Sequence, residues 1–188
     1  PVGSYTKDQI REIAEKIGIP VAHKPDSQEI CFIPDHDYAK YIRENTDTEL
    51  PPGNFVDLDG NILGKHQGIT HYTVGQRKGL NLSMGKPVFV VEIRPETNEV
   101  VIGDSKDVFS DHLTCDHLNW MSVDGLHGET MKVTAKIRYS HKGAPCEIRE
   151  IGPDLVEVQF KEPQRAITPG QAVVFYDGDY VVGGGVIR

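Results

Sequence analysis

The chain has 188 residues, with 20 Lys and Arg against 28 Asp and Glu, a formal charge of −8. That length allows one large domain or two small ones, each with a core, and the apolar content is that of a soluble globular protein. No apolar run reaches the length of a membrane span, no secretory leader is present, and the overall acidity does not suggest a nucleic-acid binder. Cys31, Cys115 and Cys146 are widely spaced; an odd, sparse set argues against a disulfide scaffold and fits a reducing cytoplasm. The opening P-V-G-S-Y-T-K carries no initiator Met and reads as the interior of a longer chain.

Residues 6–17 are expected to form a helix: Thr6 and Gln9 make a capping-box pair, and Ile10, Ile13, Ala14 and Ile17 form an apolar stripe. Gly18 and Pro20 stop it. A short extended piece then runs into the turn Pro25-Asp26-Ser27. A second helix is expected over 35–45, capped by Asp35 or Asp37. Pro51-Pro52-Gly53 marks a change of character, after which β patterns dominate. Asp59-Gly60 signals a hairpin. Residues 87–93 and 99–103 read as paired strands joined by Pro95–Asn98. Residues 132–139, 155–160, 171–176 and 180–187 read as further strands, and the surroundings of Cys115 and Cys146 are β-type. The expected class is mainly β with a small helical N-terminal segment, and short strands between turns suggest a barrel or sandwich.

Charge along the chain is uneven. Between Asn61 and Val91 there is no acid, while Lys65, Arg77, Lys78 and Lys86 fall there with His66 and His71. The segment reads either as a solvated loop face or as a phosphate-facing surface, the latter favoured by the glycines of G-K-H-Q-G and T-V-G-Q-R-K-G-L. Residues 132–149 hold Lys132, Lys136, Arg138, Lys142 and Arg149 against Glu147. Arg138-Tyr139 places a guanidinium fork beside a stacking ring, a pairing suited to RNA.

Cys31, in K-P-D-S-Q-E-I-C-F-I-P, reads either as a small buried hydrophobe or as a reactive thiol favoured by Lys24. Cys115 and Cys146 read as packing residues. His112, Cys115 and His117 are close in sequence but match no zinc spacing, so no metal is expected. His23, His66 and His71 are candidates for a Cys-His enzyme only if one lies within hydrogen-bond reach of Cys31. No phosphate-cradling loop of the G-x-x-x-x-G-K-[ST] or G-x-G-x-x-G type is present, and Gly183-Gly184-Gly185 has no helix after it.

Taken together and in order, P-V-G-x-Y-T-K, D-S-Q-E-I-C-F-I-P, G-x-H-Q-G-x-x-x-Y-T-x-G-Q-R-K-G-L, K-I-R-Y and T-P-G-Q-A-V-V-F-Y followed by G-G-G-V-I resemble the tRNA-specific 2-thiouridylases, the MnmA/TrmU family. Some members carry an older methylaminomethyl-2-thiouridylate methyltransferase label, for which no methyl-donor fingerprint is visible here. The resemblance implies residues 1–33 as the end of an ATP-pyrophosphatase domain, 34–108 as a small β-rich central domain, and 109–188 as a six-stranded-type β-barrel similar to those of elongation factors. It implies ATP and Mg²⁺ bound by a loop this sequence lacks, along with a first catalytic cysteine it also lacks. The chain alone is therefore expected to be inactive.

By the same resemblance Cys31 is the persulfide carrier, charged by a sulfur-relay protein or cysteine desulfurase. Its sulfur goes to C2 of an adenylated wobble uridine in the tRNAs for Lys, Glu and Gln. Either the persulfide attacks directly, or the other cysteine assists release by forming a disulfide with Cys31. Arg138, Tyr139 and Gln171 match the family's tRNA contacts. Lys65, His66, Gln76, Arg77 and Lys78 are added, from charge and glycine content, as a loop facing tRNA or the catalytic entrance. The Cys31 loop is expected to be mobile without its parent domain, and the protein cytoplasmic with no membrane partner. The competing readings are an RNA-binding β module with a structural Cys31 and a stand-alone cysteine hydrolase.

Overall fold

A computed structural model describes residues 2–25, 30, 32–33, 37–46 and 51–188. The chain divides into two units, residues 1–46 and 47–188. No helix among the described residues is long and apolar enough to cross a membrane.

The first unit holds α1 (Lys7–Lys16) and α2 (Tyr38–Asn45). The capping box forms as the sequence implies: Thr6 N–H donates to Gln9 Oε1 at 2.8 Å and Gln9 N–H to Thr6 Oγ1 at 3.4 Å. For α2 the cap is Asp37, whose carboxylate accepts from Lys40 N–H at 2.9 Å; Asp35 lies outside the described residues. No residue of α1 is buried, and the stripe members Ile13 and Ile17 are exposed. Phe32 and Tyr41 pack with ring centroids 5.4 Å apart.

The second unit opens with a four-stranded sheet in the order β2-β1-β4-β3, from β1 (Gly53–Val56), β2 (Ile62–His66), β3 (Phe89–Arg94) and β4 (Glu99–Gly103). The expected hairpin joins β1 to β2. Asp57 organises it, its carboxylate accepting from the N–H groups of Asp59 and Asn61 at 3.0 and 2.8 Å. The Asn61 side-chain amide, donating to Asp57 Oδ2 at 2.9 Å, and then these backbone bonds favour the anion and hold the Asp57 carboxyl below the usual range. β1 and β4 run parallel, and Asn98, in the turn before β4, ties to the residues leading into β1. Asn98 Nδ2 donates to the carbonyls of Pro51 and Pro52 at 3.1 and 3.2 Å. Phe55, Leu80, Val88, Val90, Val100 and Ile102 form the sheet's core.

The remaining strands close into an antiparallel barrel, β10-β5-β8-β7-β6-β9. They are β5 (Phe109–Trp120), β6 (Thr130–Lys136), β7 (Ala144–Gly152), β8 (Leu155–Arg165), β9 (Ala172–Asp177) and β10 (Tyr180–Ile187). The mainly β class with a six-stranded barrel is as expected. Alternation builds its interior: Ala144, Cys146 and Ile148 point inward from β7, Val156, Val158 and Phe160 from β8, and Val173 and Phe175 from β9. One expected element is shorter than the pattern suggested. β6 ends at Lys136, so Arg138 and Tyr139 leave the barrel wall in a turn, and Ile137, 2% exposed, is the last inward anchor.

Phe175 is fully buried and 6.4 Å from the Trp120 ring. Replacing it with Ala should cost about 3–5 kcal/mol, because lost contacts add to the cavity left behind. Urea unfolding monitored by Trp120 fluorescence checks this.

Candidate nucleic-acid interface

The site follows from barrel register. β6 and β9 pair antiparallel with Lys136 opposite Val174. Carrying that register two residues past the end of β6 brings Arg138 opposite Ala172, beside Gln171. The turn before β9 fixes Gln171: its N–H donates to Thr168 O at 3.2 Å, and its carbonyl accepts from Ile187 N–H at 2.8 Å. Arg138, Tyr139 and Gln171 therefore line one cleft of about 340 Å³, with Lys136, Ala172, Val174 and Tyr176.

The chemistry of this cleft is cationic and aromatic. Tyr139 is fully exposed at 103%, so no protein contact covers its ring. Lys136 Nζ stands 5.5 Å from the centroid of Tyr176, a distance at which the ring quadrupole attracts the ammonium. Arg138 uses Nη1 to donate to Arg165 O at 2.9 Å. That bond fixes the plane of a guanidinium with five donors in all. Arg138 also borders a second pocket of about 530 Å³ with His141, Lys142 and Lys161. Exposed rings that stack on bases beside cations that meet phosphates are the elements of single-stranded nucleic-acid recognition.

The basic strip over 132–149 is narrower in space than in sequence. Lys132 lies 3.7 Å from Glu147, and Arg149 2.7 Å from Glu157, so cross-strand acids neutralise its far end. In the acid-free segment, Lys86 pairs with Asp104 at 2.7 Å. Lys65, Arg77 and Lys78 are exposed and have no acidic partner among the described residues. Lys65 sits on β2 rather than in the loop of Arg77 and Lys78, which Gln76 shapes by accepting from Thr73 N–H and donating to Lys78 O, both at 2.9 Å.

His66 does not belong to that exposed face, contrary to the expectation from charge. It is 2% exposed and packs edge-on against Phe55 and Tyr72. Nε2 lies 3.1 Å from Asn98 O, and Nδ1 accepts from Gly68 N–H at 3.0 Å. The neutral Nε2–H tautomer satisfies both partners; a proton on Nδ1 would oppose the Gly68 N–H. Burial accordingly pushes the imidazole below its ordinary value, with a smaller contribution of the same sign from His71. Sequence reasoning read a loop histidine as a charge; only the sheet shows it as a buried strut.

Cys115 and Cys146 lie inside the barrel, at 0% and 2% exposure. Burial pushes both thiols up to about 12. His112 and His117 point outward while Cys115 points inward, and no metal-binding cluster occurs among the described residues. Cys31 lies outside the described residues, as do the expectations of its mobility and of a histidine partner.

Two outcomes follow. Cys115 and Cys146 should not react with an aromatic disulfide reagent at pH 8 until the protein is unfolded in urea. His66→Gln should cost about 1–3 kcal/mol at pH 8, because a buried partner loses its bond. In the unfolded chain His66 protonates near about pH 6.5, whereas in the folded chain it resists the proton. Its contribution is therefore complete above that pH and is lost as pH falls below it. The difference in urea-unfolding free energy between wild type and His66→Gln should shrink from pH 8 to pH 5.

Three family models match the chain in succession: a tRNA methyl transferase HUP domain over residues 1–35, a tRNA methyl transferase PRC-barrel domain over 39–104, and an aminomethyltransferase β-barrel domain over 110–187. Among curated relatives, a tRNA-specific 2-thiouridylase MnmA from Lachnoclostridium phytofermentans is 61% identical over 187 residues, covering 100% of this chain and 52% of that protein. The MnmA proteins of Acetivibrio thermocellus and Carboxydothermus hydrogenoformans are 58% and 55% identical, with 100% of this chain and 52% and 51% of theirs covered. The chain thus spans about half the length of the curated relatives it matches. It belongs to the tRNA-specific 2-thiouridylase (MnmA/TrmU) family.

Proposed function

We propose that this chain is the sulfur-carrying and tRNA-binding part of an ATP-dependent tRNA-uridine 2-sulfurtransferase that makes 2-thiouridine at the wobble position. What carries the reading is the match over the entire chain to relatives named tRNA-specific 2-thiouridylase. The cleft of Arg138, Tyr139 and Gln171 supports it, because its rings and cations suit an RNA partner. In this reading the RNA-facing surface lies within residues 51–188, with Arg77 and Lys78 on the loop before β3. The partners in this reading are the wobble-uridine tRNAs for Lys, Glu and Gln and a sulfur-relay protein or cysteine desulfurase, in the cytoplasm.

Cys31 holds the sulfur as a persulfide. When bound to the whole protein, ATP with Mg²⁺ supplies activation of the uridine C2 oxygen as a leaving group. The phosphate-cradling loop that this activation needs does not occur in this sequence. The terminal sulfur of the Cys31 persulfide forms the new bond to C2, and the activated oxygen leaves with the C–O electron pair. A second thiol then breaks the S–S bond by forming a disulfide with Cys31 Sγ, which a cellular thiol reductant resets. Cys115 and Cys146 are unsuited to either role, being buried thiols.

Cys31→Ser, compared with wild type in the full-length protein with ATP, Mg²⁺, a persulfide donor (a cysteine desulfurase with cysteine) and unmodified tRNA, should give no 2-thiouridine by mass spectrometry and should still bind tRNA. Normal thiolation by that variant would return Cys31 to a structural role. Tyr139→Ala should weaken tRNA binding by about 5- to 100-fold, as loss of one stacked base does, and an unchanged Kd would remove the cleft from the interface.

A further inference from the structure

Arg165, at the end of β8, has no part in the cleft, yet it touches both candidate RNA-facing elements. Its Nη2 donates to Gly75 O at 3.3 Å, and its guanidinium carbon stands 5.5 Å from the centre of the Phe89 ring on β3. Its own carbonyl accepts from Arg138 Nη1 at 2.9 Å. The next residue, Ala166, takes a positive φ of 55° and donates its N–H to Val108 O at 2.7 Å, closing the chain reversal against the start of β5. Gly75 is seated on the sheet, its N–H donating to Val90 O at 2.8 Å while Val90 N–H donates to Gln76 O at 2.9 Å. Only glycine fits there: φ is +85°, and a Cβ would stand 2.7 Å from Ala166 Cβ. Two and three residues on, Arg77 and Lys78 project as exposed cations.

These contacts form one connected path from Arg77 and Lys78 through Gly75 and Arg165 to Arg138. We infer that Arg165 is a positioning residue that holds the basic loop of the central sheet and the Arg138–Tyr139 cleft of the barrel in one fixed frame, so that both engage the same RNA molecule as a single surface. The inference rests on the RNA-binding reading above. The physical reason is effective concentration. Two weak contact sets bind far more tightly when their spacing is preset than when each closes on the ligand independently. Arg suits the position because its planar fork serves a carbonyl and an aromatic face at once, which an ammonium does less well.

The test uses the full chain and an unmodified tRNA transcript with a wobble uridine. Arg165→Ala should bind about tenfold more weakly than wild type, with the slope of log K against log salt unchanged, because no phosphate contact is removed. Lys78→Gln should instead lower that slope by about 0.7–0.9, as loss of one phosphate contact does. Arg165→Lys should recover part of the affinity. A slope lowered by the same amount in Arg165→Ala would make Arg165 a direct RNA contact and overturn the inference, as would an unchanged Kd.

Gly75→Ala keeps every charge and wedges the same junction; it should reproduce the weakened binding and stands in if Arg165→Ala does not fold. Hydrogen exchange of residues 72–79 reads the junction without RNA. Exchange should be at least about tenfold faster in either variant, as expected when a local anchor is lost, and equal rates would remove the latch. Wild-type chain that binds no tRNA would sink the RNA-binding reading instead, leaving the latch to be judged on exchange alone.

Discussion

Closure of the barrel is the constraint from which the functional surface follows. β10 must pair with β5 on one side and β9 on the other. At Gly184 a Cβ would collide with the carbonyl of Val173 on β9. The glycine run, which no helix follows to hold a phosphate, is thus a seam where backbones approach too closely for side chains. With the seam closed, the turn before β9 bonds to Ile187, and Gln171 meets the end of β6. Opening the sheet at this seam would remove the Ile187 bond that holds the Gln171 turn beside the end of β6.

The electrostatics show why net charge misled. The chain is acidic overall, but its acids are placed where they neutralise some cations and spare others. Glu147, Glu157 and Asp104 take up Lys132, Arg149 and Lys86. Asp116 is held well below the usual carboxylate range by its hydrogen bond to His117, which is raised in turn, with Arg188 also close by. What remains uncompensated among the described residues includes Lys65 on β2 and Arg77 and Lys78 on the loop before β3. Local pairing, not the sum of charges, decides which surface a polyanion can approach.

The two described cysteines show what burial does to a thiol. In the barrel the thiol is a small apolar side chain: Cys146 Sγ makes a weak contact with Val133 O at 3.6 Å, and Cys115 sits among Leu113, Val156 and Ile187 in the core. Low dielectric suppresses the thiolate at both. Thiolate chemistry is thereby kept out of the barrel core.

Local signals are legible in the amino-acid order itself. The Thr6–Gln9 capping box, the Asp59-Gly60 hairpin and the strands of alternating Val and Ile depend on neighbours within a few residues, so the sequence alone determines them. The ordered motifs likewise place the chain in its family. β5 and β7 are harder to delimit, because F-S-D-H-L-T-C-D-H and A-P-C-E-I-R-E mix acids and histidines on the outward positions of strands whose inward positions are buried. His66 looks like a loop cation because nothing local reveals Asn98, thirty-two residues away, as its partner. Arg165 carries no local signal at all, since its meaning is a carbonyl ninety residues distant. Sequence determined what each segment can do with its neighbours. Tertiary structure decided which polar groups find distant partners, because a buried polar group must be satisfied by whatever the fold brings to it.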